Sequence, residues 1–278
     1  MTSHVRASDG GRFRPRPARP GAVAESAPGE PLGRLHGWLM RHAVGLAEPL
    51  ALDGFRLFLH PVPHPFYRNT AVPVSDAVDW PAALRRLGRL AAERGFRPRI
   101  ECIAELFPRL ARALEAAGFR LERAPAMLAE VRPGVPPAGV ELPAALEPSQ
   151  VQGFLAAMLA AFGGPPPRRA EIQQLLACHR AGRLRLAWRR AGGRILAGAA
   201  LGICDDTAEL MGVFTAADCR GQGHAGAVCA ALADRFARGG GRFLWLAAEK
   251  PASGLYDRLG FRPVGTRLEA FAPRLAGA

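Results

Sequence analysis

Lysine is all but missing from this chain. Lys250 is the only one among 37 basic residues, so nearly every positive charge is an arginine. Tyrosine is almost as scarce, and Tyr67 and Tyr256 are the only phenols available for acid–base work. No apolar run approaches the ~18 residues that a membrane span needs. Met1–Pro20 lacks the apolar core of a secretory signal. Five cysteines (Cys102, Cys178, Cys204, Cys219, Cys229) are scattered, odd in number and free of any C-x-x-C pair. That excludes a disulfide framework and a zinc ribbon, and predicts free thiols, no metal and a cytoplasmic protein without membrane contact.

What is present is globular. The 278 residues are 49% hydrophobic and 22% charged, enough for one large domain or two modest ones. The formal charge of +13 invites a polynucleotide partner. Arg6, Arg12, Arg14, Arg16 and Arg19 face only Asp9 within residues 1–20, so about +4 of that charge sits on one tail. The use of arginine almost without lysine also fits a GC-rich coding bias. Nucleic acid is therefore not expected, and the phosphates to be bound are those of a small molecule. Residues 1–31, rich in Arg, Pro, Gly, Ser and Ala and without periodicity, predict a disordered tail. Alternating Arg-Pro steps would spoil the amphipathic helix of an organellar transit peptide.

Further on, helical spacing covers Leu35–Leu46, and short strands are expected at Leu57–Leu59 and Asn69–Val74. Asp79-Trp80-Pro81 opens a helix that ends at Gly95. Strand Arg99–Ile103, helix Leu106–Ala117 and strand Arg120–Glu130 follow. The cluster Arg132-Pro-Gly-Val-Pro-Pro-Ala-Gly139 reads as a linker. Beyond it come strand Val140–Leu146, a helix capped by Ser149, helix Ala170–Arg180, a hairpin of Leu184–Arg189 and Arg194–Cys204, and strand Ala208–Phe214. Helix Gly223–Arg238, strand Phe243–Ala248, helix Ala252–Leu259 and one or two strands in Phe261–Phe271 complete the chain.

The most informative stretch runs from Glu209 to Gly226. A strand leads through a polar loop into a glycine-rich helix start, Arg220-Gly-Gln-Gly-His-Ala-Gly226. Glycines let backbone N–H groups approach a pyrophosphate, and the helix points its positive end at it. The same residues satisfy the dinucleotide pattern G-x-G-x-x-G, with Glu249 placed where a ribose-binding carboxylate would be. Only 29 residues follow Glu249, too few for the rest of a doubly wound sheet, and a polar loop separates the motif from its strand.

Arg220-x-x-Gly223-x-Ala225 resembles the (Gln/Arg)-x-x-Gly-x-(Gly/Ala) loop of the Gcn5-related N-acetyltransferases (GNATs). Leu255-Tyr256-Asp-Arg-Leu-Gly260-Phe261 is similar to that family's Leu-Tyr-x-x-x-Gly-Phe segment, and the element order over residues 140–273 is the family's order. The resemblance implies an α+β fold with a mixed, mostly antiparallel sheet flanked by helices, and acetyl-CoA or another acyl-CoA as co-substrate. It implies that the backbone of Val213, Phe214 and Thr215 pairs with the acyl-pantetheine arm. The amides of Gly221, Gln222, Gly223, His224, Ala225 and Gly226 would take the pyrophosphate, with Arg220 pairing with it or closing the loop. Tyr256 falls on the position of the acid that protonates the leaving thiolate. Glu209 is the candidate base, and strict alternation would place it on the same strand face as Val213. A bare glycine-rich helix start and a solvated strand-end carboxylate are the plainer readings of the same residues.

The two halves also echo each other. A shift of 142 lays Gly118-Phe119-Arg120 on Gly260-Phe261-Arg262. The first half has Val78-Asp-Trp-Pro81 where the second has its phosphate loop, and Leu114 opposite Tyr256. This predicts two GNAT-like lobes in tandem: a degenerate lobe at 32–132, a linker at 133–139, and an acyl-CoA-binding lobe at 140–278. The expected activity is transfer of an acyl group to a small-molecule or peptide amine, by a monomer or homodimer. A non-catalytic acyl-CoA sensor, or a nucleic-acid-associated protein using the basic tail, are the rival classes. His60 and His64 lie in a proline-stiffened loop without a carboxylate partner, so a metal pair is not expected there. His179, at a helix end, suits the helix dipole.

Overall fold

The computed structural model of the chain describes residues 31–42, 48–60, 69–248 and 253–273. The basic tail, His64 and Glu249 lie outside these residues. The first half contributes α1 (Pro31–His42), β1 (Glu48–Leu52), β2 (Phe55–Leu59), β3 (Thr70–Pro73), α2 (Trp80–Arg94), β4 (Arg99–Ile103), α3 (Pro108–Ala116) and β5 (Arg120–Glu130). The second contributes β6 (Val140–Glu141), α4 (Pro148–Ala161), α5 (Arg169–Arg180), β7 (Leu184–Ala191), β8 (Arg194–Cys204), β9 (Thr207–Thr215), α6 (His224–Arg238), β10 (Phe243–Ala247), α7 (Ser253–Arg258) and β11 (Arg262–Phe271).

Local chemistry explains most boundaries. The Asp79 carboxylate accepts from Ala82 N–H at the start of α2, and Pro81 sits in its first turn. Ala83, Leu84, Leu87 and Ala91 form the buried stripe of that helix, and Gly95 closes it in the left-handed region. The α4 start differs from expectation. Pro148 occupies the first turn, so the N-cap is Glu147 rather than Ser149, and the Gln150 side chain accepts Glu147 N–H at 2.9 Å. Strand β1 carried no sequence signal because Pro49 interrupts it. Pro49 is tolerated because β1 is an edge strand, paired only with β2.

All strands join one sheet in the order β1-β2-β3-β4-β11-β5-β10-β9-β8-β7-β6. Most pairs are antiparallel; β3–β4 and β9–β10 are parallel. The order is not two sheets side by side. β5, from the first half, lies between β10 and β11, and β11, from the second half, lies between β4 and β5. Each half hands its last strand to the other, so that β3-β4-β11-β5 and β9-β10-β5-β11 mirror one another about the β5–β11 contact. That contact runs from Arg262↔Leu128 to Phe271↔Arg120. The halves are therefore interleaved, where a packed pair was expected.

Helices cover both faces. α2, α3, α6 and α7 lie on one, with β-strand side chains such as Leu268, Met127, Leu244 and Leu210 pointing to them. α1, α4 and α5 lie on the other. α1 reinforces the interleaving, because Trp38 meets Trp245 of β10 edge-on at 5.1 Å, and Arg34 Nη1 donates to Asp206 at 3.0 Å. Trp80, Trp188 and Trp245 are all buried. Gly134 in the linker segment is tied to α6: its N–H donates to buried Asp234 at 2.8 Å, and its carbonyl accepts from Arg238.

Residues 133–278 alone would leave β10 and β11 without β5 between them. That fragment is expected to aggregate when expressed by itself. Co-expression with residues 1–132 should yield a soluble complex, and both that complex and the intact chain should melt in one calorimetric transition. Two separated transitions in the intact chain would contradict the interleaved sheet.

Candidate acyl-transfer site

The site begins where two strands part. β9 and β10 pair in parallel only at Thr207, Ala208 and Glu209. Beyond Glu209, β9 stays bound to β8 as far as Thr215, and β10 stays bound to β5 as far as Ala247, but the two no longer pair with each other. The result is a wedge-shaped gap with backbone groups along Leu210–Thr215 facing into it. A β-bulge deepens it. Ala200 pairs with Met211 and Gly198 with Phe214, so Gly212 and Val213 both stand opposite Ala199. Gly212 takes φ 56°, the left-handed region where a side chain is strained. Gly198 is needed for a different reason: a Cβ there would lie 2.6 Å from Phe214 and 2.8 Å from Phe154, the ring pair that seats α4 over the bulge.

The bulge overturns one expectation. Glu209 and Val213 do not share a face. Val213 packs on the core under α6, whereas Glu209 points with Met211 and Phe214 to the opposite face. Two residues standing opposite one break the alternation on which the sequence reading relied.

At the gap's α6 side, a 3-10 turn at Ala217–Cys219 leads into Arg220, which is exposed and extended. Gly221 and Gly223 both adopt φ 78°. Gly223 is the N-cap of α6 and offers no side chain to the first amides of the helix, in contrast to Asp79 at the matching end of α2. The amides of His224, Ala225 and Gly226 thus head the helix without a capping side chain. The His224 Nδ1 is buried and has no hydrogen-bond partner among the described residues. Arg194 is a cation that the sequence did not single out. It bonds Asp218 at 2.6 Å and Cys219 Sγ at 3.4 Å, bracing the loop from β8.

α7 packs beside the start of α6, with Leu255 Cδ1 within 3.4 Å of where a Cβ on Gly226 would lie. α7 carries Tyr256, which packs on the same core as Val213 and meets Phe261 edge-on at 6.0 Å. The two candidate proton-transfer groups therefore stand on opposite faces of the sheet, with the gap between them.

On the Glu209 face lies a cleft of about 330 Å³ lined by Glu122, Arg123, Ala124, Ala247, Arg267 and Glu269. The Glu209 side chain is only 13% exposed, and its ion pair to Arg267 Nη1, the one it makes among the described residues, is long at 3.8 Å. Burial raises its pKa to about 7, Arg267 opposes that rise, and Glu101 adds to it. Arg267 was not foreseen. It comes from the exchanged strand β11, and no sequence spacing relates it to Glu209.

Four of the five thiols are poor nucleophiles. Burial pushes Cys178 and Cys204 up to about 11 and Cys229 up to about 12, and Cys102 higher still. His179 corrects another expectation. It is buried, burial lowers its pKa, and Nε2 contacts the Ala144 carbonyl at 3.1 Å, so it is a packed group and not a cation serving the α5 dipole. Among the described residues, no helix is long and apolar enough to cross a membrane, and no group of three His, Cys, Asp or Glu side chains could hold a metal.

Residues 152–261 match the acetyltransferase (GNAT) family model. No curated protein is significantly similar to the chain. Among solved structures, a GCN5-related N-acetyltransferase from Kribbella flavida has a TM-score of 0.70 at 22% identity, covering 88% of this chain and 96% of that one. A GCN5-related N-acetyltransferase from Sphaerobacter thermophilus has a TM-score of 0.54 at 16% identity, covering 80% and 78%. A conserved protein of unknown function from Staphylococcus epidermidis has a TM-score of 0.59 at 14% identity, covering 82% and 95%. These overlaps extend well beyond residues 152–261, so the fold of both halves is shared. Residues 152–261 are therefore similar to the GNAT acetyltransferase family, and the fold of the whole described chain is one that GNAT structures share.

Proposed function

We propose that the protein is an acyl-CoA-dependent N-acyltransferase that moves an acetyl group from acetyl-CoA to a primary amine by direct attack. The observation that carries the proposal is the parting of β9 from β10 immediately beside the uncapped start of α6. The amides of residues 221–226 would hold the pyrophosphate at the positive end of that helix, with Arg220 beside it. The free β9 edge at Val213, Phe214 and Thr215 would pair with the pantetheine amides as an added strand. The thioester then lies in the gap, reachable from both faces.

The acceptor, a small-molecule or peptide amine, would enter through the cleft on the Glu209 face. Its nitrogen attacks the thioester carbonyl carbon, an N–C bond forms and the C–S bond breaks. Glu209 takes the proton from nitrogen, directly or through water, and Tyr256 gives one to the departing thiolate. The elevated thiol pKa values favour this direct route over an acyl-cysteine intermediate. One donor site per chain is expected, because Asp79 already caps the α2 amides that correspond to the phosphate-binding ones.

A thiol-release screen of acetyl-CoA against a library of primary amines tests the proposal. Turnover with at least one amine is expected. Coenzyme A binding by calorimetry with no turnover for any amine would instead identify an acyl-CoA sensor. Gly223→Val should weaken coenzyme A binding at least about tenfold, because a β-branched residue strains at φ 78°. Unchanged affinity would remove the phosphate loop from the site.

Tyr256→Phe should lower kcat by about 10²-fold with little change in coenzyme A affinity. Equal kcat with every active amine would rule out Tyr256 as the acid.

Glu209→Gln should lower kcat/KM by a similar factor and abolish its rise with pH through about 7. It has a second, activity-free consequence. The folded-state pKa exceeds the ordinary 4.5, so folding favours the protonated carboxyl. That stability is whole below the unfolded value and fades as pH climbs through about 7. Glu209→Gln should therefore gain stability relative to wild type between pH 5 and pH 8. A constant difference across that range would show that Glu209 does not titrate there.

A further inference from the structure

Five charged side chains form a nearly buried row on the cleft face of the sheet. β4 supplies Arg99 and Glu101, β11 supplies Arg267 and Glu269, and β9 supplies Glu209, all between 11% and 19% exposed. The Arg267 guanidinium is their junction. Nε meets Glu101 at 3.1 Å, Nη2 meets Glu269 at 2.6 Å, and Nη1 meets Glu209 at 3.8 Å. Arg99 pairs with Glu101 at 3.2 Å and with Glu269. β11 and β9 are separated by β5 and β10, about 14 Å between backbones. Arg267 can reach so far because the strands it crosses present alanine to this face: Ala124, directly opposite it, then Ala126 and Ala247.

The row holds two guanidiniums and three carboxylates. Glu101 and Glu269 take the short contacts, so Glu209 is left with the longest, and the surplus negative charge falls there. The other charged groups packed around this face do not relieve it. On α1, Arg34 is held by Asp206 and Thr207, and burial lowers the His36 pKa to about 4, leaving it neutral. Glu122 on β5 pairs with Arg120 at the half-exposed rim. α4 carries no charged residue.

We propose that Arg267, drawn toward Glu101 of the first half and Glu269 of its own strand, is the positioning residue that sets whether Glu209 is charged. The first half of the chain thereby acts on the acyl-transfer site without touching the donor. The competition for one guanidinium makes two opposite demands. Removing Arg267 should hold the proton on Glu209 to higher pH, and removing Glu101 should free Arg267 for Glu209 and release the proton at lower pH. The catalytic consequence rests on the reading of Glu209 as the base; its ionisation does not.

The test is a carboxyl ¹³C NMR titration of glutamate-labelled full-length protein, with the Glu209 signal assigned by its loss in Glu209→Gln. Relative to wild type, Arg267→Met should raise the Glu209 midpoint by about one pH unit, and Glu101→Gln should lower it by a similar amount. Arg267→Lys, which keeps a charge on a shorter reach, should fall between wild type and Arg267→Met. Midpoints that do not move, or that move in the same direction in Arg267→Met and Glu101→Gln, overturn the proposal. Should Arg267→Met fail to fold, Glu101→Gln decides alone: a downward shift supports the proposal, an unmoved midpoint sinks it. The kcat/KM pH profile, taken with the amine that turns over in the thiol-release screen, is the second readout. Its acid limb should follow the NMR midpoint, giving about a fivefold loss at pH 7 in Arg267→Met. An NMR midpoint that shifts while the limb stays put upholds the role of Arg267 and rejects Glu209 as the base.

Discussion

The hydrogen-bonded contact between β5 and β11 is the constraint on which the rest of this molecule depends. Each of these strands belongs by chain order to one half and by pairing to the other. Without β5, β10 keeps only its short pairing with β9, and β11 has no strand of its own half beside it. Without β11, β4 keeps only its parallel contact with β3 and is cut off from β5. The gap between β9 and β10 is held open from both sides, by β8 on one flank and by the borrowed β5 on the other. A strand from the first half thus holds one wall of the site. α1 adds to the same effect, since its Trp38 and Arg34 bind β10 and the turn before β9.

What the sequence made legible followed from local rules. The glycines at 221 and 223, the helix they open, and Tyr256 on the helix that packs beside it could be read because backbone conformation and capping are local. The repeat shift of 142 was legible because Gly118-Phe119-Arg120 and Gly260-Phe261-Arg262 repeat a residue pattern. What escaped was non-local or depended on a single phase error. The exchange of β5 and β11 leaves no trace in periodicity, since a strand looks the same whichever neighbour it pairs with. Gly212 stood in plain sight, yet nothing in Met211-Gly212-Val213-Phe214 announces that two residues will face one, and that shift moved Glu209 to the face opposite Val213. Arg267 was invisible for the first reason, because its partners Glu101 and Glu209 are set by strand order alone.

The phase error clarifies the chemistry. Had Glu209 shared a face with Val213, the proposed base and acid would have crowded the α6 side, where the glycine-rich loop and α7 already pack. With the bulge, the proposed base Glu209 and the proposed acid Tyr256 stand on opposite sides of a one-residue-thick sheet, with the gap between them. Donor and acceptor can then arrive from different faces without competing for the same entrance.

Such a division also explains why a carboxylate of raised pKa is useful and why its neighbours come from afar. A base must be largely ionised at working pH yet hold a proton long enough to count, which favours a pKa near neutrality. Burial alone would push Glu209 too far, and an intimate arginine would drop it too low. A guanidinium at 3.8 Å, shared with two closer carboxylates, lies between those extremes. β9 itself does not supply it, because the residues that share the Glu209 face, Thr207 and Met211, carry no charge. It has to come across the sheet, and the strand exchange is the feature that brings β4 and β11 within reach.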